Sequence, residues 1–333
     1  MRPPTLLRPL VTAAALVLAA LPAQSQTKWD MPTGYPIGNP HTVTLTQWTK
    51  DVDLATKGQL KIVVHANGSL FKAQEIMRAV ESGQAQAGEV LMSLLSNQNP
   101  IFALDSVPFL ATGFDDAWRL YQAQRPVLER TLDKRGLKLL YAVAWPPQGI
   151  YAKKELKSAA DMKGLKWRAY NPATTKIAQA VGAQPLTIQA AELSQALATG
   201  VVDSFMSSGA TGVDSKVWES LTHFHTVDAW LPKNMVVANK KDFDKLDKAT
   251  QDIVMKLAAE AEKKGWDRMR AYTNESLGIL VKNRMLVVKP TPQLMADMTK
   301  IGDEMTADWL KQAGAEGKEI IDAYRKSAPP AKK

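Results

Sequence analysis

From Trp29 to Arg168 short runs of alternating or β-branched apolar residues trade places with stretches whose apolar positions recur at helical spacing, the grammar of an α/β protein. Val43 to Thr56 reads as a helix with Val43, Trp48, Val52 and Leu54 among its apolar positions. Leu60 to Val64 reads as a strand, and Asn67-Gly68 as a turn. Glu75 to Ser82 forms a short helix stopped at Gly83, followed by a strand over Ala87 to Met92. Pro108-Phe109 precedes a helix running through Trp118 and Tyr121, and Leu137 to Trp145 is the next strand.

The second region repeats this order. Leu165 to Ala169 is a short strand, and Asn171-Pro172 opens a helix, with Asn as N-cap and Pro at the first helical position. Gly182 closes that helix, Pro185 to Thr187 is extended, Ala190 to Thr199 is a helix ended by Gly200, and Val201 to Ser207 is a strand. From Lys248 to about Lys282 no proline interrupts a helical pattern that only Gly265 and Gly278 weaken, which predicts one or two helices spanning two domains like a spine. The length exceeds what a single core normally supports. The expected division is 26–148 plus 235–278 for one domain and 149–234 plus 279–326 for the other, with 327–333 a disordered, Pro- and Lys-rich tail.

The first 25 residues change the compartment. Arg2 and Arg8, an apolar run from Leu10 to Leu21, and small residues at Ala23 and Ser25 have the order of a secretory signal peptide. The run is too short for a stable bilayer-spanning helix. Cleavage before Gln26 or after Ala23 would release a soluble protein. The chain has no cysteine, so neither a disulfide framework nor a lipid-modified N-terminus is available. An untethered exported protein is useful where a second membrane retains it, which points to the Gram-negative periplasm. Removing Arg2 and Arg8 takes the formal charge from +9 to +7. The basic residues are spread among Asp and Glu, which favours attraction of anionic solutes over nucleic-acid binding.

Reactive constellations are scarce. The phosphate-binding GxxxxGK[ST], the GxGxxG after a strand, the GxSxG elbow and HExxH do not occur. His223 and His225 form an HxH pair with no evident third ligand, so neither a metal nor a cofactor is expected. Asp203 and Glu192 read as structural, at a strand and on a helix, ahead of an acid/base pair.

Ser158 to Ser208 carries the most specific signal: Asp161-Met162-Lys163-Gly164, a strand from Leu165 to Arg168, Gly182-Ala183-Gln184-Pro185, Glu192, and Gly200-Val201-Val202-Asp203. Upstream, Gly68-Ser69-Leu70, the Gly83 segment and Pro108-Phe109-Leu110 follow in order. The set resembles the DctP-type solute-binding subunits of TRAP transporters over nearly the whole chain after the leader. The resemblance implies a type II periplasmic-binding fold, two α/β domains around a ligand cleft with a long helix crossing both. It also implies closure around a carboxylate and delivery to small and large membrane subunits, with import driven by an ion gradient. A sensor subunit of the same fold, and an exported hydrolase or lyase, are the alternatives; a monomer is expected.

Arg168 matches the family's ligand arginine, and its planar fork at a strand end suits a carboxylate. Where relatives carry G-Q-E-N after the Asp, this chain has Ser204-Phe205-Met206-Ser207, so Ser207 and Ser208 are expected in place of that Asn. The segment in which sialic-acid binders carry a second arginine reads Trp145-Pro146-Pro147-Gln148-Gly149-Ile150-Tyr151, and Ala190 replaces a Phe found in some relatives. Together these point to a monocarboxylate or keto acid, aromatic bodies included. The expected ligand contacts are Arg168, Asn171, Ser207, Ser208, Trp230, Trp145, Gln148, Tyr151, Tyr170, Glu89 and Met92, with Trp167 nearer the core.

Overall fold

The computed structural model describes residues 26–328, so the leader and residues 329–333 lie outside it. The fold begins with β1 (Thr27–Pro32), α1 (Pro40–Ala55) and β2 (Leu60–His65), with β1 and β2 parallel and Thr27 opposite Leu60. Asn39 caps α1 by accepting from His41 N at 2.8 Å, and Pro40 occupies the first helical position. The chain continues through α2 (Ile76–Glu81), β3 (Ala87–Leu91), α3 (Phe114–Asp133) and β4 (Leu137–Ala144).

It then enters a second lobe of β5 (Gly149–Ala152), β6 (Lys166–Ala169), α4 (Pro172–Ala180), β7 (Gln184–Thr187), α5 (Leu193–Ala198), β8 (Ser204–Ser207), α6 (Gly209–Asp214) and β9 (His223–His225). From there β10 (Lys233–Asn239) returns to the first lobe and inserts antiparallel between β3 and β4. The chain ends with α7 (Lys240–Asp244), α8 (Lys248–Lys282), β11 (Leu286–Val288) and α9 (Pro292–Lys326). The second sheet runs β11-β9-β5-β8-β6-β7.

The two connecting segments between the lobes are hydrogen-bonded to each other. Trp145 N donates to Pro232 O at 2.7 Å, Gln148 N to Trp230 O at 3.0 Å, and Ala229 N to Gln148 O at 3.0 Å. Asp105, fully buried, fixes the start of β10 by accepting from Lys233 N at 2.7 Å, with Lys233 Nζ 3.5 Å away. The backbone amide and the desolvated ammonium of Lys233 thus share one carboxylate.

Helix α8 is continuous over 35 residues, packing on β4 and α1 in the first lobe and on α6 and β11 in the second. Its Gly265 is a close-approach point: a Cβ there would stand 2.6 Å from Val143 Cγ2. Glu262 ties it to the first lobe, accepting from Tyr121 Oη at 2.7 Å, Ala142 N at 2.9 Å and Arg125 Nη1 at 3.0 Å. Helix α9 bends at Gly314 (φ 54°) and packs on α3 and on residues 100–106 of the first lobe, with Trp309 Nε1 donating to Pro100 O at 2.7 Å. The sequence division groups 279–326 with the second region. The N-terminal end of α9 is tied to that region by Asp297, which accepts from Ala159 N at 2.9 Å, and by its cap residue Thr291, whose hydroxyl donates to Lys157 O.

Candidate functional site

Arg168 lies on β6, flanked by Leu186 of β7 and Phe205 of β8, and is 3 % exposed. Its Nε donates to Ile188 O at 2.8 Å, and its guanidinium sits 4.9 Å from the Tyr170 ring centroid and 5.9 Å from that of Phe205. Burial lowers its pKa to about 10, still far above neutrality, so the side chain carries its charge. No carboxylate among the described residues lies within ion-pairing distance of it. A buried charge without a partner is costly, and an incoming anion removes that cost.

The guanidinium faces a cavity between the lobes. Tyr35, Trp145 and Tyr170 supply aromatic walls, Leu91, Pro232, Ala73 and Ala190 aliphatic ones, and Gln148, Gln189, Ser207 and Thr211 polar groups. Arg168 is the one charged residue among those lining it. The polar groups are pre-oriented. Tyr170 Oη donates to Gln148 Oε1 at 3.0 Å, Gln148 Nε2 donates to Pro146 O at 3.0 Å, and Ser207 Oγ donates to Thr211 Oγ1 at 2.8 Å. Asn234 Oδ1 accepts from Trp145 Nε1 at 2.9 Å and from Tyr35 Oη at 3.4 Å, fixing both rings.

Of the residues expected at the ligand, the cavity brings together Arg168, Trp145, Gln148, Tyr170 and Ser207. The remaining six stand outside its lining for identifiable reasons. Asn171 caps α4, accepting from Thr174 N at 2.9 Å, and turns its amide to the first lobe, donating to Ser93 Oγ at 2.8 Å. Ser208 caps α6 by accepting from Thr211 N at 3.3 Å. Tyr151 is sandwiched between Phe205 and Phe224, at 4.6 and 4.3 Å, and its hydroxyl donates to Ser208 O. Trp230 is buried in the segment joining the lobes, and Met92 sits against Gln124 in the core. Trp167 is fully buried.

Glu89 lies behind the cavity wall, 3 % exposed. Its Oε2 accepts from Thr33 Oγ1 at 2.6 Å, and its Oε1 is 3.8 Å from His41 Nδ1. Burial pushes its pKa up to about 7 and depresses that of His41 to about 3, so both favour their neutral forms. His225 uses both ring nitrogens on backbone, Nε2 accepting from Leu156 N at 2.9 Å and Nδ1 facing Ile150 O at 3.2 Å. Among the described residues no group of three or more metal-ligating side chains is assembled. Asp203 accepts from Lys166 N at 3.0 Å and Glu192 from Gln189 N at 3.4 Å, both backbone contacts.

Sequence reasoning missed Tyr35, Leu91, Gln189 and Thr211. Tyr35 follows a strand that the pattern does not announce, and the Gly34 before it allows a close approach, since a Cβ there would meet Ala73 Cβ at 2.9 Å. Thr211 carries the signal that was available: it stands four residues after Ser207, in the first turn of α6.

A buried arginine facing an uncharged, mostly apolar cavity between two α/β lobes defines a binding protein for a small organic anion, of the two-domain type II kind. Residues 34–312 match the model of bacterial extracellular solute-binding protein family 7, DctP, and the chain belongs to that family. The chain is similar to the solved structure of DctP6 from Bordetella pertussis, an extracytoplasmic solute receptor binding pyroglutamic acid. The two are 54% identical with a TM-score of 0.89, covering 90% of this chain and 100% of that one. A TRAP solute-binding protein from an unidentified marine microbe, specific for pyroglutamate, is 42% identical with a TM-score of 0.89 over 91% of this chain and 100% of its own. A monocarboxylate 2-oxoacid-binding periplasmic protein of Nostoc sp. is 24% identical over 296 residues, 87% of this chain and 80% of its own length. The family and these neighbours are solute-binding proteins, and no helix among the described residues is long and apolar enough to cross a membrane.

Proposed function

We propose that this protein is the periplasmic receptor of a TRAP-type transporter, exported by its leader, monomeric, and selective for a compact monocarboxylate of the pyroglutamate kind. The observation that carries the reading is Arg168, a buried cation with no acidic partner among the described residues, facing a cavity with no other charged lining residue. A ligand with one carboxylate neutralises that charge; a second carboxylate would stay unpaired in the same space. A five-membered lactam also presents one N–H and one carbonyl to a wall that offers amides and hydroxyls at Gln148, Gln189, Ser207 and Thr211. Its methylenes would lie against Trp145, Tyr35, Leu91 and Pro232.

In this reading the lobes close on the ligand by flexing at 145–148 and 226–232, and the closed form is what the membrane subunits recognise. The strands β5 to β9 with β11 form the moving unit, and α8 and α9 bridge it to the first. A thermal-shift series at equal concentration tests the ligand class, because stabilisation follows RT ln(1 + [L]/Kd). Pyroglutamate should raise Tm more than succinate, a hydrophilic sugar acid, or branched and aryl 2-oxoacids. A larger shift with succinate would reject the single-carboxylate reading, and a larger shift with the 2-oxoacids would reject the lactam.

A further inference from the structure

A second inter-lobe space adjoins the ligand cavity and shares Tyr35, Trp145, Ala190 and Thr211 with it. Into it projects Asp214, the last residue of α6, whose carboxylate accepts from Asn39 Nδ2 of the first lobe at 2.6 Å. The donor is held in place, because the same Asn39 side chain caps α1 through its Oδ1. The acceptor is joined to the cavity wall, because α6 follows Ser207, carries Thr211 and ends at Asp214.

Among the described residues nothing else compensates this acid. Asp214 forms no ion pair among the described residues. Of the groups on neighbouring elements, Tyr272 of α8 interacts with it as a neutral hydroxyl, and Arg268 of the same helix is engaged with Glu275 at 2.8 and 2.9 Å. His41, beside Asn39 on α1, is buried and neutral, and Lys216 is exposed two residues further on.

We propose that Asp214 is a positioning residue that sets the closure equilibrium: bringing the lobes together strips water from its carboxylate in exchange for one hydrogen bond from Asn39, so the ionised acid opposes closure and limits affinity. The receptor thereby avoids closing without ligand and retains a driving force for opening when it must release. Burial in this arrangement raises the Asp214 pKa to about 6, and its hydrogen bond from Asn39 acts in the opposite direction. The sign is therefore fixed. A carboxyl whose pKa is higher closed than open favours closure at low pH, and that contribution is lost as pH rises through about 6.

The inference rests on the receptor reading, and its test separates the two. Asp214→Asn, an uncharged isostere, should bind pyroglutamate more tightly than wild type at pH 7.5. The ratio of the two Kd values should grow about five- to tenfold between pH 5.0 and 7.5, since each pKa unit is worth a factor of ten in proton affinity. Asn39→Ser keeps a capping oxygen but loses the donor amide, so it should weaken binding at pH 7.5 in wild type and leave binding by the Asp214→Asn variant within about twofold. Small-angle scattering of the ligand-free proteins supplies the readout that needs no ligand: Asp214→Asn should be more compact than wild type at pH 7.5. If wild type fails to bind pyroglutamate, the ligand reading fails. If scattering is the same for both ligand-free proteins, or the Kd ratio is independent of pH, the closure role of Asp214 is overturned. Weaker binding by Asp214→Asn at both pH values would overturn it as well, making the contact a net attraction.

Discussion

Replacing Arg168 should move binding and stability in opposite directions. The guanidinium is 3 % exposed, holds one hydrogen bond at 2.8 Å to Ile188 O and faces an uncharged cavity. In Arg168→Met the ligand carboxylate enters a site of reduced dielectric with no partner, which costs about 3–5 kcal/mol. At about 1.4 kcal/mol per tenfold this is a loss of roughly two to three and a half orders of magnitude in Kd. Arg168→Lys keeps a charge without the fork and should recover part of it.

The free protein should respond the other way. A base whose pKa is lower folded than unfolded destabilises the fold wherever the unfolded chain is protonated. For Arg168, lowered to about 10 by burial, that cost is present in full at pH 7 and fades only as pH rises past 10. Crediting the lost Ile188 bond and the contact with Tyr170, Arg168→Met should gain about 1–3 kcal/mol without ligand. Calorimetric titration gives the binding loss, and thermal denaturation without ligand gives the stability gain, about 2–4 °C per kcal/mol. Near-wild-type affinity would remove Arg168 from the site. A destabilised but binding-competent variant would make it a structural arginine.

Glu89→Gln tests the buried acid behind the wall: because burial holds Glu89 protonated up to about 7, its ionisation costs the fold increasingly as pH rises from the ordinary carboxylate range through 7. The variant should therefore gain about 2–3 kcal/mol over wild type at pH 8 relative to pH 4.5, measured by urea unfolding at both values; a difference that does not change with pH would refute that assignment. Gly212→Ala should destabilise by about 1–3 kcal/mol, since its Cβ would stand 2.2 Å from Tyr151 Oη in a ring pinned between Phe205 and Phe224; an unchanged Tm would show that the ring can move. Saturating ligand should lower the radius of gyration in small-angle scattering, and identical curves with and without it would count against lobe closure.

Where a local rule decides the structure, the sequence was readable. Asn171-Pro172 caps α4 as its composition demands, and Gly83, Gly182 and Gly200 all take the left-handed conformation that ends a helix or turn. The uninterrupted helical pattern from Lys248 to Lys282 is one helix of those bounds. Strands β5, β9 and β11 are three or four residues long, too short for a period to register, and β10 is buried along its whole length, so alternation could not announce it. Its insertion between β3 and β4 is a long-range pairing that no local pattern encodes.

The site divides the same way. Arg168 was legible because its strand end and flanking turns are local, and Trp145 and Gln148 because they sit in a proline-marked connection. Asn171 and Ser208 are polar residues at helix starts, and capping engages their side chains and leaves them outside the cavity lining. Tyr151 alternates into the core face of β5 rather than toward the cleft. Tyr35 reaches the cavity from a distant loop, and only the packing of the two lobes reveals it.

If the protein captures a small anion by pairing its one carboxylate with Arg168, the ligand's charge must dominate its affinity. Titration calorimetry of the mature protein, unfolded and refolded to remove any carried ligand, against pyroglutamate and against its uncharged carboxamide tests this most directly. Pyroglutamate should bind at one site per chain, and the carboxamide, the same ring without the charge, at least about a hundredfold more weakly. Equal affinity for the two compounds would mean that Arg168 does not hold the ligand by its charge.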